Sequence, residues 1–438
     1  MFKTLRNAFK VKDIRKRLIY TMIALLVVRL GTLLPAPAIS RDVTQGWFQN
    51  LGFFNNLTGG SLLRMSIFAL SISPYITASI IVQLLTIAIP KLEEMQKEGE
   101  DGRKKMNEIM RYVSVGLAVV ESLAFAIGFG NSGALEGGFT FTNVVVIIAS
   151  FTAGSTFLMW LGERITQNGV GNGISIILLV NIVSTMPGDF ISLTQKFIIN
   201  KPVVNAIVAA LVIVFVVILA VVLVLILQDG ERKIPVTYAK KVQGRKMLGG
   251  QASNIPLKVN TAGVIPVIFA NSIMTFPIVI ASLFGVRPER AYFWPKVLKV
   301  LDQNSWLVTK SWGDFKYSLG LIIYIVLIIF FAYFYTSVTF NPIEVSNNIK
   351  KQGGFIPGIR PGKPTTEYLQ KVLNYIIFIG AIGLTIVSII PIFVSGVFSA
   401  DVSFGGTSII IIVGVIIETI KQIESQLLVR HYKGFLND

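Results

Sequence analysis

Apolar residues in this chain gather into long runs rather than into alternating or short amphipathic stretches. Ten runs stand out, roughly at residues 18–36, 66–89, 112–130, 143–161, 174–187, 203–227, 261–285, 317–340, 368–395 and 405–428. A helix of about 20 apolar residues crosses a bilayer, so the pattern predicts an all-α polytopic membrane protein of ten transmembrane helices. The fifth run is short for a span. Its helix either continues into the polar stretch "GDFISLTQKF" or lines something wet.

The second run begins oddly. It is preceded by "LTGGSLLRMS", which contains a glycine pair and Arg64, although Ile67 to Ile89 already suffices to cross a bilayer. The preceding turn or two is surplus to a simple span.

Spans divide at the loop "MPGDFISLTQKFIINKPV" into an N-terminal half at 18–200 and a C-terminal half at 201–428, flanked by a basic N-terminus at 1–17 and a tail at 429–438. Five spans in each half force the second half into inverted orientation, and inverted repeats place the working site between them, near the midplane. No residue-by-residue similarity joins the halves, so this symmetry follows from counting alone.

Charge orients the chain. Most of the 40 Lys and Arg residues fall on the N-terminus and on alternate connections, notably 90–111, 228–260 and 341–367, which places both termini on the cytoplasmic side. The second and third of these are longer than a simple connection requires, and long ordered loops are usually functional. Seven basic residues precede Leu18, and no small-residue cleavage site follows the first apolar run, so an uncleaved first span is expected.

Composition removes several chemistries. The chain is 53% hydrophobic and 14% charged, with no cysteine and a single histidine, His431, near the polar C-terminus. Disulfides, thiolate nucleophiles and Cys-based metal sites are excluded, and no catalytic, cofactor or metal-binding set emerges. Arg29 lies toward the outer end of the first span, where snorkelling accounts for it, and Glu121 stands alone in the third span. An inverted-repeat secondary transporter for a small solute is the alternative reading, and so few intramembrane charges argue against it.

Three motifs carry further readings. "GIRPGKPT" fails the phosphate-loop pattern in its glycine spacing and at Pro364. "GVGNGIS" opens the fifth span, either as an anion cradle at a helix N-terminus or, more commonly, as a tight loop. Bulky aliphatics pair at helical spacing, Ile72 with Ile76, Leu178 with Ile182 and Ile265 with Ile268, which puts each pair on one helix face. Ordinary helix packing or lipid contact is the commoner reason for such pairs, and periodicity alone favours it.

Over essentially its whole length the chain resembles the SecY/Sec61-alpha family, the channel subunits of the Sec protein translocase. The resemblance is carried in order by "RLGTLLPAP", "GGSLLRMSIFALSISPYITASIIVQLL", "KEGEDGRKK", "GVGNGIS", "ERKIPVTYAKK", "PLKVNTAGVIPVIFANSI", "NPIEVSNNIKKQGGFIPGIRPGKPT" and "FGGTSIIIIV". It implies a central hourglass pore closed at its waist by a ring matching Ile72, Ile76, Leu178, Ile182, Ile268 and Ile411. A hydrophobic constriction dewets and blocks ions, while aliphatic side chains can yield around a passing chain.

By the same resemblance, residues 57–66 match a plug, a short half-helix re-entering from outside, with Leu57, Gly59, Gly60, Leu62, Leu63 and Arg64 as its residues and the second span starting near Ile67. Arg232, Lys233, Lys240, Lys241, Arg360 and Lys363 match loop positions that receive the SecA motor ATPase or the ribosome. A lateral gate to lipid lies between spans 2 and 3 on one side and 7 and 8 on the other, with Asn271 as a polar seam residue. Implied partners are SecE-like and SecG-like small membrane subunits, signal peptides, unfolded preproteins and membrane lipids, in the bacterial cytoplasmic membrane. The family consumes no cofactor of its own, since the motor burns the ATP.

Overall fold

The computed structural model describes residues 2–40, 58–199, 202–238, 241–243, 246–248, 252–283, 297, 307–309, 315–398 and 406–434. A basic helix α1 (Phe2–Lys10) precedes ten helices that coincide with the ten apolar runs: α2 (Lys12–Gly31), α3 (Ser73–Ala88), α5 (Glu100–Ser132), α6 (Phe141–Asn168), α7 (Gly173–Phe197), α8 (Val203–Asp229), α9 (Ile265–Leu283), α10 (Leu319–Thr339), α12 (Lys363–Phe398) and α13 (Gly406–Gly434). Two short helices, α4 (Pro90–Lys97) and α11 (Pro342–Lys351), complete the set. Among the described residues, six helical segments are by themselves long and apolar enough to cross a membrane. The chain is a multi-pass membrane protein.

Helix ends follow local chemistry. Asn172 caps α7 by accepting from the amides of Ile174 and Ser175, and Asn341 caps α11 in the same way, with Pro342 in the first turn. Gly133, at φ 70°, closes α5: its amide and that of Ala134 reach the carbonyls of Gly130 and Phe129, the paired bonds of a Schellman ending. After α3, Ile89 is extended and Pro90 restarts the helix at a bend of 108°, so α4 leaves the line of the span. The fifth span takes the longer of its two expected courses, since α7 runs through Pro187 to Phe197.

In the N-terminal half α5 packs on α3 and α6, and α6 on α7; in the C-terminal half α10 packs on α9 and α12, and α13 on α8. The halves meet where α5 touches α9 and where α7 touches α13. At the first seam Ile80 of α3 is buried with Val267, Phe269, Ala270 and Met274 of α9. Large hydrophobic side chains remain exposed along α8, among them Leu211, Phe215 and Ile218, as expected of a helix facing lipid or a membrane partner.

The long connections at 228–260 and 341–367 are not loops throughout. β1 (Glu231–Tyr238) pairs antiparallel with β4 (Ala252–Lys258) from Glu231 opposite Lys258 to Thr237 opposite Ala252, and with β7 (Gly354–Phe355) at Thr237 and Tyr238. The expected all-α chain therefore carries a small three-stranded sheet in the order β4-β1-β7. Ile234 and Val236 of β1 are buried with Leu257, Ile349, Ile356 and Leu369, which seats the sheet on α11 and α12. Two further antiparallel ladders pair β2 with β3 (Lys241–Gln243, Lys246–Leu248) and β5 with β6 (Leu307–Thr309, Phe315–Tyr317).

Candidate functional site

The six matched aliphatics come together. Ile72, Leu178, Ile182 and Ile411 are buried in one hydrophobic cluster, and Ile76 and Ile268 pack against it. They arrive from α3 and its N-cap, from α7, α9 and α13, so both halves contribute to a single apolar knot. Val28 of α2 and Phe68 complete it from the side. Phe68 lies so close to Gly31 that a β-carbon there would fall 1.9 Å from its ring.

The segment ahead of α3 departs from the expected half-helix. Residues 58–72 form consecutive turns, and the helix of the second span begins at Ser73 rather than near Ile67. One helical bond forms, from the Arg64 amide to the Gly60 carbonyl. Met65 then takes a left-handed conformation (φ 47°), and the Met65 and Ser66 amides bond Leu62 and Ser61, which is a Schellman ending after one turn. Ser71, also left-handed at φ 51°, breaks the chain again before α3. Gly59 and Gly60 have φ of 65° and 80°, the freedom expected of a glycine hinge.

This segment is buried and tied on several sides. Leu62 and Met65 pack among Ala36, Phe125 and Phe129 of α5 and Phe151 of α6, with Leu63 partly buried against them, while Arg64 is exposed. The Ala36 amide bonds the Met65 carbonyl at 2.8 Å, and the Ile67 amide bonds Leu34 at 3.0 Å. Arg29 donates to the Gly59 carbonyl at 3.4 Å, and Asn181 of α7 donates to the Ser71 hydroxyl at 3.2 Å. A β-carbon on Gly59 would sit 2.9 Å from both Arg29 and Asn181. Arg29 thus serves as more than a snorkelling cation, and Asn181 is a polar residue that the apolar pattern of α7 hid. Leu57 lies outside the described residues.

Asn181→Ala is expected to loosen this contact by about 1 kcal/mol, the usual net worth of one hydrogen bond. Because the chain has no cysteine, Ser61→Cys gives a single reporter at a fully buried position. Its labelling by a water-soluble maleimide should quicken about fivefold on the Asn181→Ala background if local opening limits the reaction. An unchanged rate would show that Asn181 does not hold the segment.

Asn271 of α9 donates to Thr407 of α13 at 3.3 Å, and the Thr407 hydroxyl also lies 3.4 Å from that of Tyr324 in α10. This bond lies within the C-terminal half, and the packing of Ile80 against α9 is apolar. Four amides of "GVGNGIS" are taken by side chains of the protein: Val170 bonds Thr21, Gly173 bonds Thr166, and Ile174 and Ser175 bond Asn172. That is a tight loop rather than an anion cradle. Glu121 is half-buried in α5 beside Ser122, whose hydroxyl meets Thr152.

Around the three-stranded sheet, Arg232 and Lys233 are exposed on β1, and Arg360 and Lys363 are exposed at the entry to α12. The Arg360 loop is anchored through its backbone, since Thr365 donates to the Arg360 carbonyl at 2.8 Å and Ser346 of α11 donates to the Gly362 carbonyl at 3.1 Å. Lys363 lies 3.9 Å from Glu367. Lys240 lies outside the described residues, as does the side chain of Lys241, although its backbone opens β2.

A family model described as SecY matches residues 66–420. The protein translocase subunits SecY of Halalkalibacterium halodurans and Bacillus subtilis are each 41% identical over the full length of both chains. Among solved structures, a protein-conducting channel superposes with a TM-score of 0.63 at 19% identity, covering 94% of this chain and 92% of that one. The Sec61 channel of a canine ribosome complex gives the same score at 18% identity, with the same coverage. On the fold, the ordered motifs and the full-length likeness together, the chain belongs to the SecY family.

Proposed function

We propose that the chain is the protein-conducting channel subunit of a Sec translocase, moving unfolded secretory proteins across the bacterial cytoplasmic membrane and releasing apolar segments sideways into lipid. The observation that carries this reading is the apolar knot built from both halves, with the turn segment 58–66 held beside it. Ile72, Ile76, Leu178, Ile182, Ile268 and Ile411 act as the constriction, and residues 57–66 act as the plug. A dry aliphatic seal stops ions, yet offers no fixed polar partner that would arrest a passing chain.

The half at 18–200 and the half at 201–428 part along α3 and α5 against α9 and α10 to admit a signal peptide. Both termini are cytoplasmic, as the basic connections require. Arg232, Lys233, Lys240, Lys241, Arg360 and Lys363 receive a SecA-like motor or the ribosome, and exposed cations suit both acidic protein patches and RNA phosphates. A SecE-like subunit, with a SecG-like one, covers part of the exposed apolar helix surface. The motor hydrolyses the ATP, and this chain does no chemistry. The family assignment replaces the small-solute transporter alternative.

The test reconstitutes the chain with a SecE-like subunit in vesicles and adds motor, ATP and a secretory precursor. Precursor protected from external protease is the expected result. Solute uptake without precursor protection would overturn the reading.

A further inference from the structure

We propose that Pro235 and Pro256 close the two open edges of the three-stranded sheet to unfolded polypeptide, which would otherwise add to it as a further strand. The proposal rests on the reading that the protein handles unfolded chains, and its test does not require that they be transported.

Residues that face each other in an antiparallel ladder alternate between pairs that exchange hydrogen bonds and pairs whose N–H and C=O groups point away from one another. The phase is fixed at one end of the sheet. The Val259 amide donates to the Gly230 carbonyl at 2.8 Å, one step outside the pair of Glu231 with Lys258. Counting inward, Arg232 with Leu257, Ile234 with Ile255 and Val236 with Ser253 are the bonded pairs. Between them, Glu231 with Lys258, Lys233 with Pro256, Pro235 with Asn254 and Thr237 with Ala252 turn their backbone outward. Both prolines fall in the outward set, where a missing N–H takes nothing from the ladder. Each sits inside its strand rather than at an end, a place where proline is tolerated only on an edge.

The effect of the prolines is on the edges. Among the described residues no further strand pairs with β4, whose outward positions are Ala252, Asn254, Pro256 and Lys258. On the far side of β1, β7 pairs only at Thr237 and Tyr238, which leaves Glu231, Lys233 and Pro235. Asn254, Pro256 and Lys258 on one edge, and Glu231, Lys233 and Pro235 on the other, are all exposed. Each edge therefore offers at most two outward amides in succession before a residue that has none. A strand of ordinary length, about 5–6 residues, bonds a neighbour through every second residue and so needs about three. An open edge is a template for any chain with unpaired amides, and Arg232 and Lys233 on β1 stand where a docked partner would bring such chains. A second copy of this protein is held by its own spans and presents the same interrupted edges, whereas an unfolded chain offers amides in every register.

The cysteine-free chain permits a clean test. Asn254→Cys carries a single photo-crosslinker on the exposed edge of β4, with and without Pro256→Val, in the full chain reconstituted in vesicles. A reduced secretory precursor diluted from urea is the unfolded probe. Its adduct is expected to be at least about fivefold more abundant with Pro256→Val, the worth of one restored hydrogen bond. The amide introduced by that change should exchange freely with solvent in the chain alone and slow when precursor is added. Glu231→Cys with Pro235→Val reads the other edge in the same way, so the result does not hang on one variant. Equal adduct with and without the prolines overturns the proposal. So does an adduct between two copies of the chain that forms without precursor. No transport is measured, so these outcomes judge the edges apart from the reading of the channel.

Discussion

Asparagine at both Ile182 and Ile411 raises the resting ion conductance of the reconstituted channel at least about tenfold. Both side chains are buried, at 1% and 2% exposure, in the cluster that joins α7 to α13. Each new amide left without a partner costs the closed arrangement about 1–3 kcal/mol, and water entering the constriction relieves that cost. Since about 1.4 kcal/mol changes a population tenfold, two such groups shift the balance from dry to wet. Leucine at the same two positions keeps the cluster apolar and should leak far less. Single-channel currents across planar bilayers give the measurement, and a closed-state conductance equal to the parent's would sink the constriction reading.

Arg360→Glu lowers motor-driven precursor transport more than about tenfold while the protein still folds. The side chain is exposed and among the described residues makes no ion pair, so its loss removes nothing internal. The loop around it is held by its carbonyls, through Thr365 and Ser346, and these bonds survive the change. Reversing a charge that meets an acidic partner forfeits about 2–5 kcal/mol of binding, enough for the stated loss. Arg360→Lys, which keeps the charge without the planar fork, should fall between. Motor binding to proteoliposomes and precursor protection are read together; wild-type values in both would remove Arg360 from the docking surface.

Much of this architecture is written in the apolar runs, because a membrane helix must satisfy its backbone internally and hide behind side chains of one kind. That constraint is why ten runs became ten helices, although their ends moved, by twelve residues where α5 starts at Glu100 and by ten where α7 runs on to Phe197. Connections answer to no such rule. "ERKIPVTY" alternates toward its end, with Ile234 and Val236 turned inward, yet its charges read as a solvated loop, and its partners β4 and β7 lie in segments equally rich in proline, glycine and lysine.

Residues 58–72 show a second limit. Gly59 and Gly60 announce a hinge, but nothing local announces left-handed Met65 and Ser71. Those conformations are imposed by Leu34, Ala36 and Asn181, which are near in space and distant in sequence. The aliphatic knot was legible as pairs sharing helix faces. Gathering those pairs into one place needed the resemblance, since periodicity says which way a side chain faces and not what it meets.

The three-stranded sheet has a mechanical meaning. Because β7 is bonded to β1 and both rest on α11 and α12, the two long connections are joined into one plate. The plate is rooted in three spans: α8 runs into β1, β4 runs toward α9 with the Val259 amide bonded to Gly230, and Gly380 lets α12 come close to the Val259 carbonyl. A force applied at Arg360 would therefore pass through paired and packed strands into α8, α9 and α12.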